Sequence, residues 1–511
     1  MRWDDIRVAG HPFIDTPNMD RLAREGARFT NAFAITPLCS PSRATFLTGQ
    51  YPHINGIVDN TARPSHNLPV FPLDLQRAGY LTGFFGKWHM GNDASPRPGF
   101  EHWVGIPGQG EAIDPSLNVD GQRVDVKGYT TDVLTDYVER FIDRPSDRPF
   151  LVYLAHKAIH PNVIQRDDGQ VVPIPGQPGG FVAADRHRGR YAGRTMPRRP
   201  SAFKPPLGKP ALLRQIDDLP PLGPKTATSD EEIRGRLEML LGVDDSLGRI
   251  LAVLERQGIL NDTMVVLTSD HGYFYGEHGL NEERRLAYEE TIRIPLMIRY
   301  PPLTMAGSTP AEIALSLDIA PTLLEVAGVR PANGIQGRSL VPVLKNEVRE
   351  WRSSFLVEYF TDTVFPRIRN MGYVAVRTAR HKYIHYRELQ GMDELYDLAN
   401  DPYEQENLIG RSDAREALNL MQAELKKLLE QTRFRVRERA DDGIRLCHPV
   451  EGARPGLFER GTADSYTSCP PSTTSTWPVM NSASGEARNR TADAISSGRP
   501  SRRINAPSTA F

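Results

Sequence analysis

Over the first 345 residues, short apolar runs alternate with helical periodicities. Val133, Leu134, Tyr137, Val138, Phe141 and Ile142 mark one face of a helix across 131–143. Phe150-Leu-Val-Tyr-Leu-Ala155 follows as an uninterrupted apolar run and reads as a buried strand. The pattern repeats with a helix over 233–257, on Ile233, Leu237, Leu240, Leu241, Leu247, Ile250, Leu251 and Leu254. Strands at 264–268 and 295–299 come next. Such alternation predicts an α/β fold, a mostly parallel sheet sandwiched by helices. Residues 161–229 break the pattern: rich in Pro, Gly and Arg, they read as a long insertion facing the substrate or, equally, as a mobile surface excursion. Across 346–432 the strands become short and separated by polar turns, at 355–359, 373–377, 382–386 and 394–398. A helix carrying Leu418, Met421, Leu425, Leu428 and Leu429 follows. This predicts a small C-terminal antiparallel sheet closed by a helix. From 433 to 511 no periodic apolar face remains, and disorder or an aberrant tail is expected.

Composition narrows the function classes. The 62 basic and 63 acidic residues nearly cancel, which argues against a general nucleic-acid or membrane-surface binder. No apolar run approaches the roughly 18 residues of a membrane span. Three cysteines, Cys39, Cys447 and Cys469, are too few for a disulfide framework. The start, Met-Arg-Trp-Asp-Asp, has no basic segment followed by an apolar core.

Candidate chemistry gathers where strands end. Cys39-Ser-Pro-Ser-Arg43 opens a helix, with Ser40 expected as N-cap and Pro41 as the first helical residue. Cys39 then sits at the positive helix end, and Arg43 returns to the same side with a fork suited to an oxyanion. Lys87 and His89 leave the apolar stretch 80–85 together. His160 follows the 150–155 strand, with His156 and Lys157 as weaker candidates. Asp270 and His271 end the next strand and offer an oxygen and a nitrogen donor, with Glu277 and His278 close behind. Arg284 adds another fixed cation.

Cys39-x-Pro41-Ser42-Arg43 with Leu47-Thr48-Gly49, and Gly86-Lys87-Trp88-His89, resemble the signatures of the formylglycine-dependent type I sulfatases of the alkaline phosphatase superfamily. Leu317-Asp318 through Thr322, Gly337-Arg338-Ser339-Leu340 and Glu394-Leu-Tyr-Asp-Leu398 extend the likeness to about residue 430. The resemblance implies that Cys39 is oxidised by a maturation enzyme to formylglycine, whose hydrate attacks sulfur. It implies Arg43, Lys87 and His89 around that hydrate and His160 as proton donor to the leaving oxygen. Arg284 takes the place of a sulfate-binding lysine. Cys39, Asp270 and His271 are the implied ligands of calcium or another divalent metal. Tyr51-Pro52-His53 and Gly56 to Asn60 resemble sulfatases acting on sulfated sugars, of the N-acetylglucosamine-6-sulfatase-like kind.

The expected substrate is therefore a small or oligosaccharide sulfate ester. The alternatives are a phosphonate or phosphate monoester hydrolase of the same superfamily, and a non-catalytic remnant that binds sulfated glycan. The second follows from one departure. In the family an apolar strand ending in two metal-binding aspartates precedes the segment matched by Arg2 to Asp5, so the first strand is expected to be missing. The ligand role is not carried to Asp4 or Asp5. A periplasmic or secreted location is expected if a signal peptide lay upstream.

Overall fold

The computed structural model describes residues 1–446 except 61–67, 167–169, 282–283, 332–333, 362–364, 435–436 and 441–442. The predicted strand and helix at 150–155 and 131–143 form at Phe150–Ala155 and Thr130–Ile142. The long second helix runs Asp230–Arg256, fixed at its start by a reciprocal capping box between Ser229 and Glu232.

A five-stranded sheet has the order Gln122–Asp125, Ser116–Val119, His102–Ile106, Leu81–Lys87, Phe150–Ala155. Leu81–Lys87 pairs in parallel with both of its neighbours. The outer pairings are antiparallel, which corrects the mostly parallel expectation to a mixed sheet. The cause is local. Asp120 and Gly121, with φ of 49° and 94°, form a two-residue hairpin turn that returns the chain beside the preceding strand.

A separate antiparallel sheet holds Ala27–Phe29, Leu296–Arg299 and Val265–Thr268. Among the described residues no strand pairs with the second edge of Phe150–Ala155 or of Val265–Thr268. Both edge strands line one cavity of about 1020 Å³, and their residues are mostly half-buried.

Helices cover both faces of the five-stranded sheet. On one face Val133, Leu134, Leu237 and Leu240 pack with Phe85 and Val104. On the other, Ala44, Leu47, Ala320 and Leu324 pack with Phe84, Trp88 and Trp103. The 161–229 region folds onto this body: Tyr191 and Met196 join one core, Ala211, Leu212 and Leu222 another.

The C-terminal sheet is a four-stranded antiparallel meander, Ser354–Tyr359, Tyr373–Thr378, His381–Tyr386 and Glu394–Asp397. The helix Arg415–Gln431 covers it through Met421 and Leu425. The expectation that regular structure ends at 433 fails over a short stretch. Arg437–Ala440 pairs antiparallel with Gly443–Leu446. Residues 447–511, with Cys447 and Cys469, lie outside the described residues.

Candidate active site

Cys39 is itself the first helical residue of Cys39–Thr48, and Leu38 is the N-cap, with its carbonyl accepting from the Ser42 amide at 2.9 Å. The helix thus starts earlier than the Ser40–Pro41 pattern predicts. Proline is tolerated at the third position because first-turn nitrogens have no partner inside the helix. Ser40 is freed from capping and donates through its hydroxyl to the His89 carbonyl. Two more side chains of this turn reach neighbouring strand exits. Ser42 Oγ donates to the Asp270 carbonyl at 2.6 Å, and an Arg43 Nη1 hydrogen goes to the Lys87 carbonyl. Arg43 Nη2 also donates to the Asp270 carboxylate at 3.2 Å. One turn of helix therefore fixes the exits of two different sheets.

Lys87 ends its strand and His89 follows with φ of 55°, a left-handed backbone that turns the chain sharply. Both are buried. Lys87 Nζ donates to Gln109 Oε1 at 2.5 Å, and His89 Nε2 lies 2.9 Å from Gln165 Oε1. Burial lowers Lys87 to about 8 against the opposing pull of Cys39, and burial beside Lys87 lowers His89 to about 4.

His160 sits with Arg284, whose Nη2 lies 3.1 Å from His160 Nε2. Its other nitrogen, Nδ1, donates to the Pro161 carbonyl at 3.0 Å, so Nε2 carries the lone pair and accepts from the guanidinium. Burial, then Lys87 and Arg284, hold His160 well below the ordinary histidine value. His160 is therefore neutral in this arrangement. Lys157 turns to the Pro161 carbonyl at 2.8 Å, and burial followed by Lys87 lowers it to about 7. His156 instead faces Ser246 at 3.1 Å.

Asp270 and His271 meet Cys39: one donor atom from each lies within 4.8 Å of the others. His271 Nδ1 donates to the Gly272 carbonyl at 2.8 Å, which leaves the Nε2 lone pair 3.3 Å from Cys39 Sγ. A backbone bond that fixes a tautomer in this way is how ligating histidines are oriented. Burial alone would raise the Asp270 carboxyl, but His271, Arg43 and the Met1 amine hold it well below the usual range. Burial opposes ionisation of Cys39 too, yet Lys87 and His271 bring its thiol well below the ordinary value.

The donor set suits a divalent ion. With a thiolate, an imidazole and a carboxylate it favours a borderline metal. An aldehyde hydrate at position 39 would replace sulfur by oxygen and shift it toward a harder ion. Calcium usually takes six to eight oxygens, more than these three side chains supply.

Asp4 and Asp5 do not face this cluster. Asp4 pairs with Arg2 and Arg199, and the Asp5 carboxylate accepts from the Arg2 amide at 2.9 Å. Glu277 binds Arg2 at 2.7 Å, so it tethers the N-terminal segment rather than supporting the metal ligands. The Met1 amine donates to Ser269 Oγ at 2.7 Å and to the His271 carbonyl at 3.1 Å, and burial lowers it to about 6. Sequence reasoning missed Gln109, Gln165 and Ser40. The glutamines carry no local signal, because only the fold brings the turn at 109 and the hairpin at 165 to Lys87 and His89. Ser40 was visible, but as a cap.

Comparison with known proteins identifies the family. The sulfatase family model matches residues 1–329, and a model for the N-sulphoglucosamine sulphohydrolase C-terminal region matches 276–432. An N-acetylglucosamine-6-O-sulfatase of Bacteroides thetaiotaomicron is 32% identical over 498 residues, covering 85% of this chain and 84% of that protein. A structure solved with its substrate D-glucosamine-2-N,6-O-disulfate superposes with a TM-score of 0.73 at 31% identity, over 84% of this chain and 96% of the other. A phosphonate monoester hydrolase of Agrobacterium radiobacter shares the fold, with a TM-score of 0.65 at 23% identity over 88% of this chain and 98% of the other. The chain belongs to the sulfatase family and is a sulfuric ester hydrolase of the alkaline phosphatase superfamily.

Proposed function

We propose that this sulfatase removes sulfate from carbohydrate, with a 6-O-sulfated glucosamine unit as the preferred substrate class. The observation that carries this reading is the meeting of Cys39, Asp270 and His271 within 4.8 Å, at a helix start bordered by Arg43 and Lys87. The sugar preference is supported by the N-acetylglucosamine-6-O-sulfatase relative and by the neighbour bound to a sulfated glucosamine.

A maturation enzyme converts Cys39 to formylglycine in this reading. Asp270, His271 and the modified residue 39 hold a divalent ion, calcium by family expectation. When present, the hydrate supplies the attacking oxygen and the ion supplies Lewis acidity. Arg43, Lys87 and Arg284 bind the sulfuryl oxygens as fixed positive charges. His89 accepts a proton from residue 39. His160 holds Arg284 in the free enzyme. An arriving sulfate ester draws Arg284 away and raises the histidine's proton affinity, so that Nε2 takes up a proton from solvent and passes it to the leaving oxygen.

Two measurements test this. Intact mass of the Cys39 peptide from the native host should show loss of sulfur and gain of the aldehyde. Turnover should favour glucosamine 6-O-sulfate over an aryl sulfate and over a matched phosphate ester. An unmodified thiol in an active preparation removes the proposed nucleophile, and a higher kcat/KM on the phosphate ester overturns the substrate class.

A further inference from the structure

Beyond the ligands and cations, two buried glutamines connect Lys87 to His89. Gln109 Oε1 accepts from Lys87 Nζ at 2.5 Å. Gln109 Nε2 donates to Gln165 Oε1 at 2.8 Å. The same oxygen lies 2.9 Å from His89 Nε2. Gln109 is 3% exposed and Gln165 4%, so bulk water does not screen or replace these bonds.

The polarity of this chain of bonds is forced from one end. A lysine ammonium has donors and no acceptor, so Gln109 must turn its oxygen to Lys87. Its amide NH₂ then faces Gln165, which must answer with oxygen. That oxygen has two lone pairs: one takes the Gln109 hydrogen and the other is left for His89. Nε2 of His89 must therefore carry the hydrogen, and Nδ1 must be the bare nitrogen. Nδ1 lies on the side of the Cys39 helix start, 3.5 Å from Ser40 Oγ. The Ser40 hydroxyl is committed to the His89 carbonyl, so it fixes the backbone of His89 rather than occupying the ring.

We propose that Gln165, together with Gln109, is a positioning residue that sets the His89 tautomer, leaving Nδ1 bare toward residue 39. Gln165 ends the strand Val163–Gln165, which pairs with Val171–Pro173 in the inserted region. The insertion thereby contributes a side chain to the chemistry through His89, without itself touching residue 39. This inference rests on the reading of His89 as the proton acceptor from residue 39.

The test uses the full chain labelled with 15N-histidine and long-range 1H–15N correlation. The His89 signals are identified by their loss in His89→Gln. The wild type should show hydrogen on Nε2 and a bare Nδ1. Gln165→Leu should give mixed tautomers. Its kcat on glucosamine 6-O-sulfate should drop roughly tenfold or more, with KM within about twofold. Gln165→Glu keeps an oxygen for both donors and should restore tautomer and kcat.

Gln109→Glu gives a reversed outcome. Glutamate at 109 accepts from Lys87 but offers no hydrogen, so Gln165 turns its NH₂ inward and donates to both neighbours. His89 should then carry its hydrogen on Nδ1. A Gln109→Glu protein whose other histidine signals are unchanged, and whose His89 still holds hydrogen on Nε2, overturns the relay. So does an unshifted tautomer in folded Gln165→Leu. The tautomer readout is independent of turnover. A wild type without sulfate-ester turnover but with the reversal at Gln109→Glu overturns the reaction reading and supports the relay.

Discussion

The two halves of the molecule bury apolar strands to different extents. In the C-terminal meander every residue of Ser354–Tyr359 is buried, and Leu356, Val357, Ala375 and Val376 have no exposed surface. In Phe150–Ala155 and Val265–Thr268 the apolar residues are mostly half-buried, because both strands line the 1020 Å³ cavity. Charges follow the same division. Lys382 in the C-terminal sheet is matched by Glu289 at 2.9 Å and Glu404 at 2.8 Å, and Lys209 of the insertion donates to the Glu404 carbonyl at 2.6 Å. Around Cys39, Arg43 and Lys87 lie beside the carboxylate of Asp270, and Arg284 lies beside His160. One half is closed by packing and compensated charge. The other keeps open space between two strand edges, with Arg43, Lys87 and Asp270 on its lining.

The largest expected effect removes chemistry and spares the fold. Cys39→Ala should reduce sulfate-ester turnover to background, because the covalent route loses its reacting group. Its melting curve should stay close to wild type, since Cys39 lines the cavity rather than a packed interior. A large loss of stability with partial activity would reverse the assignment of roles between the two halves.

Lys382→Met supplies the opposite case. It leaves Glu289 and Glu404 buried without their shared cation, a change that typically costs about 3 to 5 kcal/mol. Urea unfolding measures it. A cost near zero would mean that this cluster is not what fastens the C-terminal sheet to the catalytic half.

Much of this division was legible in the sequence. The uninterrupted run at 150–155 and the stripes at 131–143 and 233–257 gave helices and strands within a few residues, because each repeats an unambiguous period. Strand direction was less accessible. The outermost antiparallel pair depends on one Asp120-Gly121 turn inside a polar stretch, and the next pair on the connection at 107–115. At the site, Cys39, Lys87, Asp270 and His271 were readable, since each lies beside an element end with its own motif. Gln109 and Gln165 were not, because an amide acquires meaning only from the groups it is folded against.

Protonation should separate the halves again between pH 5 and 9. Burial lowers Lys87 to about 8 and Lys157 to about 7. Each is a cation whose folded value lies below its unfolded one, so opening takes up protons and the catalytic half gains stability as pH rises. Glu404 is pushed by burial to about 7, above its ordinary value. Its contribution is fully present below the unfolded value and is lost as pH climbs through 7. Linkage changes an opening constant by about tenfold per pH unit for each proton taken up or released. Hydrogen exchange, corrected for intrinsic rates, should show protection of Phe150–Ala155 rising from pH 6 to 8.5 while that of His381–Tyr386 falls. Parallel trends in both strands would show that the halves open as one unit.

The smallest effect probes space directly. Val152 is half-buried and lines the cavity, whereas Val376 has no exposed surface and packs inside the meander. An added methylene at Val376 meets close-packed neighbours, so Val376→Leu should cost about 1 to 3 kcal/mol. At Val152 the same methylene enters open volume and covers apolar wall, so Val152→Leu should be neutral or stabilising by up to about 0.8 kcal/mol. Both are measured by urea unfolding under identical conditions. If the cavity persists in solution, the two substitutions differ in sign. If the Phe150–Ala155 and Val265–Thr268 edges close together, Val152→Leu becomes as costly as Val376→Leu. The contrast between an open catalytic half and a packed C-terminal half would then be lost.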